Sequence, residues 1–361
     1  MFIIDQTTYA DDRSKELLAN STAFAQRNTL DPLSICDDYE VVADALESGI
    51  PVLITGEPGT GKTSLILILG ARYGVPVWLT PCNGSMTAAE LIGKVVFNTH
   101  EGVDGDVRKT IFVPGPLLWC FVKGGVVLLD DGLQLTSAAM TAAMEFAMLP
   151  DIYNCAANGV TYKRHPNFRI VMTGNLGCVG TNKVPEALLD RFAVAIDIDR
   201  LSRKSFLLLG KTKWGYLRDD FFNIAYDLCT AVMTEAKSNA KKHVPCGFRQ
   251  MLALMGLIPD NKVIALTQFA RRVKTTFVAV LRKALMPSEK VETFYRTGAV
   301  QGYITAMYNA YRASPRPKPD ATSAPQPTPQ PQPTAAQQPQ NHTASQKDGQ
   351  GLCGALLGVN P

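Results

Sequence analysis

The sequence predicts an α/β protein: a parallel sheet with flanking helices, followed by a small all-α domain and a disordered Pro/Gln-rich tail. Three observations carry this prediction. Short apolar runs that read as buried strands recur before residue 200, separated by helix-length segments, as in a parallel sheet covered on both faces. Beyond Leu201 the apolar positions take a helical period as far as Tyr311. From Ser314 to about Gln350 the chain is Pro, Gln, Ala and Thr, and it holds nine of the 23 prolines. The divisions so drawn are an N-terminal lead over 1–40, an α/β core over 41–200, a helical domain over 201–312 and the tail over 313–361.

Each element has its local reason. Residues 1–40 are polar with no strong period, and the apolar burst Phe2 to Ile4 is too short for a secretory signal. Val41, Val42, Ala45 and Leu46 fall at helical spacing, and Gly49 supplies the C-cap that stops the helix. Val52-Leu53-Ile54 reads as a buried strand, and Leu65 to Leu69 as an apolar helix after a glycine-rich turn. Further strands are predicted at Pro76–Leu79, Val126–Leu129, Phe168–Met172 and Ala193–Ile198. Helices are predicted over Tyr216–Ala236, Phe248–Leu257, Val263–Leu285 and Glu289–Tyr311. The alternating prolines from Pro325 to Pro333 cannot bury enough apolar surface to offset their ordering entropy, which gives this run polyproline II character. The apolar patch Gly351–Leu357 reads as a docking peptide or as a bland end.

Composition narrows the class. With 361 residues and 46% hydrophobic content the chain can bury a sizeable core, and no apolar run is long enough to span a bilayer. Its eight cysteines are scattered, with no Cys-x-x-Cys pair and no His at ligand spacing, so they read as reduced thiols of a cytoplasmic protein. Residues 201–312 hold 18 Lys or Arg against 7 Asp or Glu, a net +11, whereas residues 1–200 carry a net −8. That asymmetry suits nucleic-acid binding, and equally two halves that face one another across a subunit contact or around a phosphate.

The chemistry is concentrated in two motifs. Gly56-Glu57-Pro58-Gly59-Thr60-Gly61-Lys62-Thr63, with Ser64 adjoining, fits the P-loop pattern and sits between a predicted strand and a predicted helix. Its glycines let backbone N–H groups turn toward phosphates at the positive end of the helix. Lys62 would reach the β- and γ-phosphates of ATP, and Thr63 would hold Mg²⁺. These residues make the sheet that of a P-loop NTPase. Val126 to Leu129 then leads into Asp130 and Asp131. Asp130 would bind Mg²⁺ through water and Asp131 would polarise the attacking water, although a strand ending in a solvated acidic turn has the same appearance.

In order and spacing the two motifs, the strand Phe168-Arg169-Ile170-Val171-Met172-Thr173-Gly174-Asn175 and the run Pro185 to Phe192 resemble AAA+ ATPases. Within these the chain is similar to the MoxR and dynein-related group, including CbbQ- and CobS-like activators, over roughly residues 30–310. Glu90-Leu91-Ile92-Gly93, Pro114 to Leu118 and His165 to Arg169 support the likeness. The resemblance implies that Asn175 is the sensor 1 amide, Arg191 the arginine finger presented to a neighbouring subunit, and Arg249 the sensor 2 residue on a lid helix. The competing readings are a turn Asn, a surface Asp190–Arg191 pair and a solvated helix Arg. It also implies inserted hairpins over 94–112 and 153–167, the second with Asn158-Gly159 in its turn.

One departure stands out, because the family usually has Asp-Glu where this chain has Asp130-Asp131. The shorter carboxylate implies slow hydrolysis or a site relaxed around it. The function implied is ATP hydrolysis in a homo-oligomeric ring, expected as a hexamer, that remodels or activates a client protein. A von Willebrand factor A-type partner is among the expected clients, and no membrane is involved. Two alternatives stay open: a nucleic-acid motor or binder acting through clusters such as Arg271-Arg272-Val273-Lys274, and a nucleotide-gated scaffold that recruits partners through its Pro-rich tail.

Overall fold

The computed structural model describes residues 9, 11–28, 32, 35, 36, 38–98, 109–175, 186–198, 201–240, 246–259 and 262–315. The first part runs α1 (Asp12–Asn28), α2 (Tyr39–Ser48), β1 (Val52–Gly56), α3 (Lys62–Tyr73), β2 (Val77–Pro81) and α4 (Ala88–Ile92). It continues with β3 (Gly93–Asn98), β4 (Lys109–Pro114), α5 (Pro116–Lys123), β5 (Gly125–Asp130) and α6 (Ser137–Ala147). Then come β6 (Ile152–Cys155), β7 (Val160–Lys163), β8 (Phe168–Thr173), α7 (Glu186–Arg191) and β9 (Val194–Ile198). Six helices follow: α8 (Arg203–Lys213), α9 (Asp219–Ala240), α10 (Phe248–Leu257), α11 (Leu266–Lys283), α12 (Ser288–Arg296) and α13 (Gly298–Ala313).

The sheet has the order β2-β5-β8-β1-β9, and every neighbouring pair is parallel. All residues of β1 and β8 are buried, which is why both read as continuous apolar runs. One face packs against α2 and α3 through Val42, Leu65, Ile66 and Ile68. The other packs against α5 and α6, where Phe121 lies edge-on to Phe146 and Phe168 with ring centroids 5.3 and 5.5 Å apart. The order matters for function: β5, β8 and β1 are adjacent, so their carboxyl ends lie side by side. The helical C-terminal region buries a separate cluster that includes Phe221, Phe222, Phe269, Phe277 and Tyr311.

The five predicted strands form this sheet, and both inserts are antiparallel hairpins. β3 pairs with β4 from Gly93↔Pro114 to Asn98↔Lys109, which interrupts the helical stretch of α4 and α5. Residues 99–108, within the expected hairpin, lie outside the described residues, as do the Pro/Gln-rich run and the patch Gly351–Leu357. β6 pairs with β7 from Ile152↔Lys163 to Cys155↔Val160.

Three helical details differ from expectation. The polar lead contains α1, which packs on α3 and buries Ser14, Leu17 and Ser21. Its buried stripe is mostly serine, so it shows no hydrophobic period; the hydroxyls bond locally, Ser14 Oγ to Asp11 at 2.6 Å and Ser21 Oγ to the Leu17 carbonyl at 3.2 Å. α8 lies where no helix was predicted, opened by Ser202, whose side chain accepts from the Ser205 amide at 3.1 Å. The single helix expected over Glu289–Tyr311 is two, because Thr297 leaves the helical conformation and its hydroxyl turns back to the Phe294 carbonyl at 2.7 Å.

Candidate functional site

The P-loop joins the end of β1 to the start of α3, and its conformation requires glycine. Gly61 has φ +99°, and a Cβ there would lie 2.8 Å from Ile35 Cγ2; at Gly56 it would lie 2.2 Å from the Ile198 carbonyl oxygen. α3 begins at Lys62, so the helix presents its positive end directly to the loop. Lys62 itself is buried, 6% exposed, and its ammonium donates to the carbonyls of Gly56 at 3.1 Å and Glu57 at 2.8 Å. A third bond runs to Asn175 Oδ1 at 2.8 Å.

The carboxyl ends of β5 and β8 complete the site. Asp130 Oδ1 accepts from Thr63 Oγ1 at 2.5 Å and from Thr173 Oγ1 at 2.7 Å. Thr173 Oγ1 also accepts the Asp131 amide at 3.0 Å, so this one hydroxyl ties the two acidic residues to β8. Asn175 Nδ2 donates to Asp131 Oδ1 at 2.6 Å. The amide is therefore oriented from both ends, carboxylate on its NH₂ and ammonium on its oxygen. Burial, and then the charge of Asp130, push the Asp131 carboxyl above its ordinary value, against the pull of Lys62, Asn175 and Arg249.

These groups floor a cleft of about 370 Å³. Its other wall comes from the helical region, where Leu209, Phe248 and Leu252 give an apolar surface and Arg249 and Lys213 bring positive charge. Arg249 lies over the P-loop, its Nε 3.6 Å from where a Gly59 Cβ would be. Lys213 donates to Asn28 Oδ1 at 3.0 Å and so links this wall to the end of α1. Pro58, Gly59, Thr60, Gly61, Lys62, Thr63 and Ser64 all line the cleft, as do Asp130, Asp131, Asn175 and Arg249, while Gly56 and Glu57 hold Lys62 from beneath.

Arg191 is not brought to this cleft. It ends α7 and donates to the Ala187 carbonyl at 2.9 Å. Sequence reasoning in turn missed Thr173, Lys213 and the apolar wall. Thr173 left a readable signal, a hydroxyl residue ending a buried strand two positions before Asn175. Lys213 left none, because the helix carrying it was not foreseen.

We expect Thr173→Val to cost about 1–3 kcal/mol, the penalty of leaving the Asp131 amide and an Asp130 oxygen short of a partner. Urea unfolding would measure it. Nucleotide turnover should fall along with it, since the Asp130 carboxylate and the Asp131 backbone lose their common anchor.

A glycine loop with positive φ at Gly56, Gly59 and Gly61, a buried ammonium and a helix start suit a polyphosphate, and the acidic side supplies the oxygen donors a hard divalent cation takes. Thr63 Oγ1 and Asp130 Oδ1 already meet at 2.5 Å, so the residues present fit Mg²⁺. The class so defined is the P-loop NTPases. Comparison with known families narrows it: residues 51–192 match the AAA domain of the dynein-related subfamily, and this domain belongs with the MoxR- and CbbQ-like AAA+ ATPases.

The relatives agree. NirQ of Pseudomonas aeruginosa, a denitrification regulatory protein by name, is 26% identical over 177 residues, which cover 48% of this chain and 65% of NirQ. NorQ of Paracoccus denitrificans is 24% identical over 45% of this chain and 57% of its own length. CbbQ of Hydrogenophilus thermoluteolus is 26% identical over 46% of this chain and 59% of its own length. The chain thus spans less than two thirds of each of these relatives.

Proposed function

We propose that the chain binds Mg–ATP in this cleft, hydrolyses it, and works in the cytoplasm as a subunit of a homo-oligomeric ring, expected as a hexamer, that remodels or activates a client protein. The observation that carries the reading is the hydrogen-bonded line Asp131–Asn175–Lys62 beside the Thr63–Asp130 pair. A water held by Asn175 and Asp131 attacks the γ-phosphorus, the bond to the β,γ-bridging oxygen breaks, and Asp131 takes the proton as ADP separates from phosphate. Lys62 and the start of α3 hold the β- and γ-phosphates, and Arg249 reaches them from the helical side. Mg²⁺, held by Thr63 and Asp130, would neutralise phosphate charge. The apolar wall of Leu209, Phe248 and Leu252 suits the nucleobase. NirQ's regulatory name is consistent with action on another protein, and a von Willebrand factor A-type partner remains an expected client.

Arg191 completes the reading as the finger given to the neighbouring subunit, since in its own chain it lies away from the cleft. Arg191→Ala should bind ATP within about twofold of the parent and hydrolyse it at least 100-fold more slowly. Mixing it with Lys62→Ala chains should restore activity, because mixed interfaces pair an intact pocket with an intact finger. A mixture no more active than its components, or a monomer in sedimentation at every ATP concentration, would show the assignment in trans to be wrong.

The nucleic-acid alternative has less support. The cluster Arg271-Arg272-Val273-Lys274 is split: Lys274 pairs with Glu292 at 2.7 Å, Arg272 lines a different cavity from Arg271, and Val273 is buried.

A further inference from the structure

A second cavity, of about 480 Å³, lies in the helical region and takes no part in the ATPase reading. Trp214 at the end of α8, Tyr216, Arg272 of α11, Lys262 and Pro259 line it. Arg272 Nη1 is shielded from solvent and has no acceptor among the described residues. A buried donor without a partner is destabilising, which points to an acceptor supplied from elsewhere. Among the described side chains of the lining, Arg272 and Lys262 bring N–H groups and Tyr216 a hydroxyl, and none is a carboxylate or an amide.

Aromatic rings beside donors complement a chain that presents apolar rings and free carbonyls but few N–H groups. Proline-rich sequence in polyproline II form does this, because proline has no amide hydrogen and the helix makes no internal hydrogen bonds. An anion is the competing acceptor. Against it, Gly256, Leu257 and Ile258 at the C-terminal end of α10 form part of the wall, so the negative end of that helix abuts the cavity and disfavours a free negative charge.

The chain itself carries such a segment within reach. The end of α13 is fastened to the cavity's walls: Tyr311 Oη donates to the carbonyls of Pro259 at 3.0 Å and Lys262 at 2.9 Å, and Ser314 Oγ accepts the Arg218 amide at 3.0 Å, two residues beyond Tyr216. Pro325, Pro327, Pro329, Pro331 and Pro333 begin ten residues after Pro315. Ten residues in polyproline II form span about 31 Å, ample to return to a wall beside which they start. We propose that the segment Pro325–Pro333 docks in cis in the Trp214–Tyr216–Arg272 cavity, its proline rings against the aromatics and its carbonyls accepting from Arg272 and Lys262. A tether this short gives a millimolar effective concentration, so weak intrinsic affinity suffices.

The test uses the full chain with those five prolines changed to Ala. A labelled peptide of residues 323–335 should bind this variant at least tenfold more tightly than the unchanged chain, whose own segment competes, as read by fluorescence anisotropy. In the same background Arg272→Met should weaken the peptide at least tenfold. Lys262→Ala, at an exposed side chain, should weaken it about threefold with the melting temperature unaltered. Equal affinity for the two chains, or no binding to the proline-substituted one, overturns the proposal. So does displacement by a polyglutamate peptide at lower concentration than by the proline peptide, which would make this an anion site. Loss of competition on dilution of the unchanged chain would place docking between copies and overturn the cis assignment.

Discussion

Lys62→Ala is expected to weaken ATP binding by at least two orders of magnitude, measured by titration calorimetry. The ammonium is buried and sits among the Gly56 and Glu57 carbonyls and Asn175, so it is already positioned at the start of α3 where the phosphates would lie. Hydrogen bonds to charged groups contribute about 1.5–3 kcal/mol each, and Lys62 offers more than one to a triphosphate. The variant should also lose its response to ligand: at 100 times its Kd a nucleotide stabilises the folded protein by about 2.7 kcal/mol, and this increment should vanish. The increment is the proper readout, because removing a buried cation beside Asp131 alters the stability of the free protein as well. Undiminished binding would remove the P-loop from the argument.

Asp131→Asn should lower hydrolysis by about two or more orders of magnitude, the loss that follows removal of a general base, while ATP stays bound through Lys62 and Thr63. The substitution separates chemistry from structure, because an Asn oxygen at this position can still accept from Asn175 Nδ2. The pH dependence has a definite sign. Burial and Asp130 raise the Asp131 carboxyl above its ordinary value, and the base acts only when deprotonated. The parent's kcat/KM should therefore fall as pH drops through that raised value, giving an acid limb displaced upward from the ordinary Asp position, and the limb should be missing from Asp131→Asn. Hydrolysis at the parent rate in single-turnover measurements on assembled rings would mean that another residue activates water.

Asp131→Glu has a structural complication that residue length alone does not reveal. Asp131 has φ +56°, a left-handed conformation that Asp adopts more readily than Glu, and its carboxylate already reaches Asn175 at 2.6 Å. The shorter side chain thus suits its backbone, and restoring the residue the family usually has brings strain with any gain in reach.

Much of this protein was legible because its signals are local. The glycines of the P-loop, the apolar runs of β1, β5 and β8, the carboxylates closing β5 and the Gly49 cap all follow from backbone sterics or from burial on both faces, and these are written in a few consecutive residues. The five strands followed for the same reason, whereas the two hairpins were expected from the family resemblance, the second with Asn158-Gly159 as its turn signal. α1 did not, since serines that satisfy their own hydroxyls bury without leaving a hydrophobic period. The break at Thr297 also escaped, because a single residue's departure from the helix leaves the surrounding period intact.

By itself the sequence determined which residues the proposed nucleotide chemistry would use for phosphate, cation and water, and that three strands would carry them. The tertiary structure alone decided how those groups are joined. The strand order that makes β5, β8 and β1 neighbours puts the Thr173 hydroxyl between Asp130 and the Asp131 amide, and Asn175 between Asp131 and Lys62. Packing of the helical region then sets Arg249 over Gly59, Phe248 in the cleft wall, and Trp214 and Arg272 around a second cavity. The physical reason is separation: these partners lie up to 190 residues apart in the chain, and only the closing of the sheet and the burial of the helices' apolar faces bring them together.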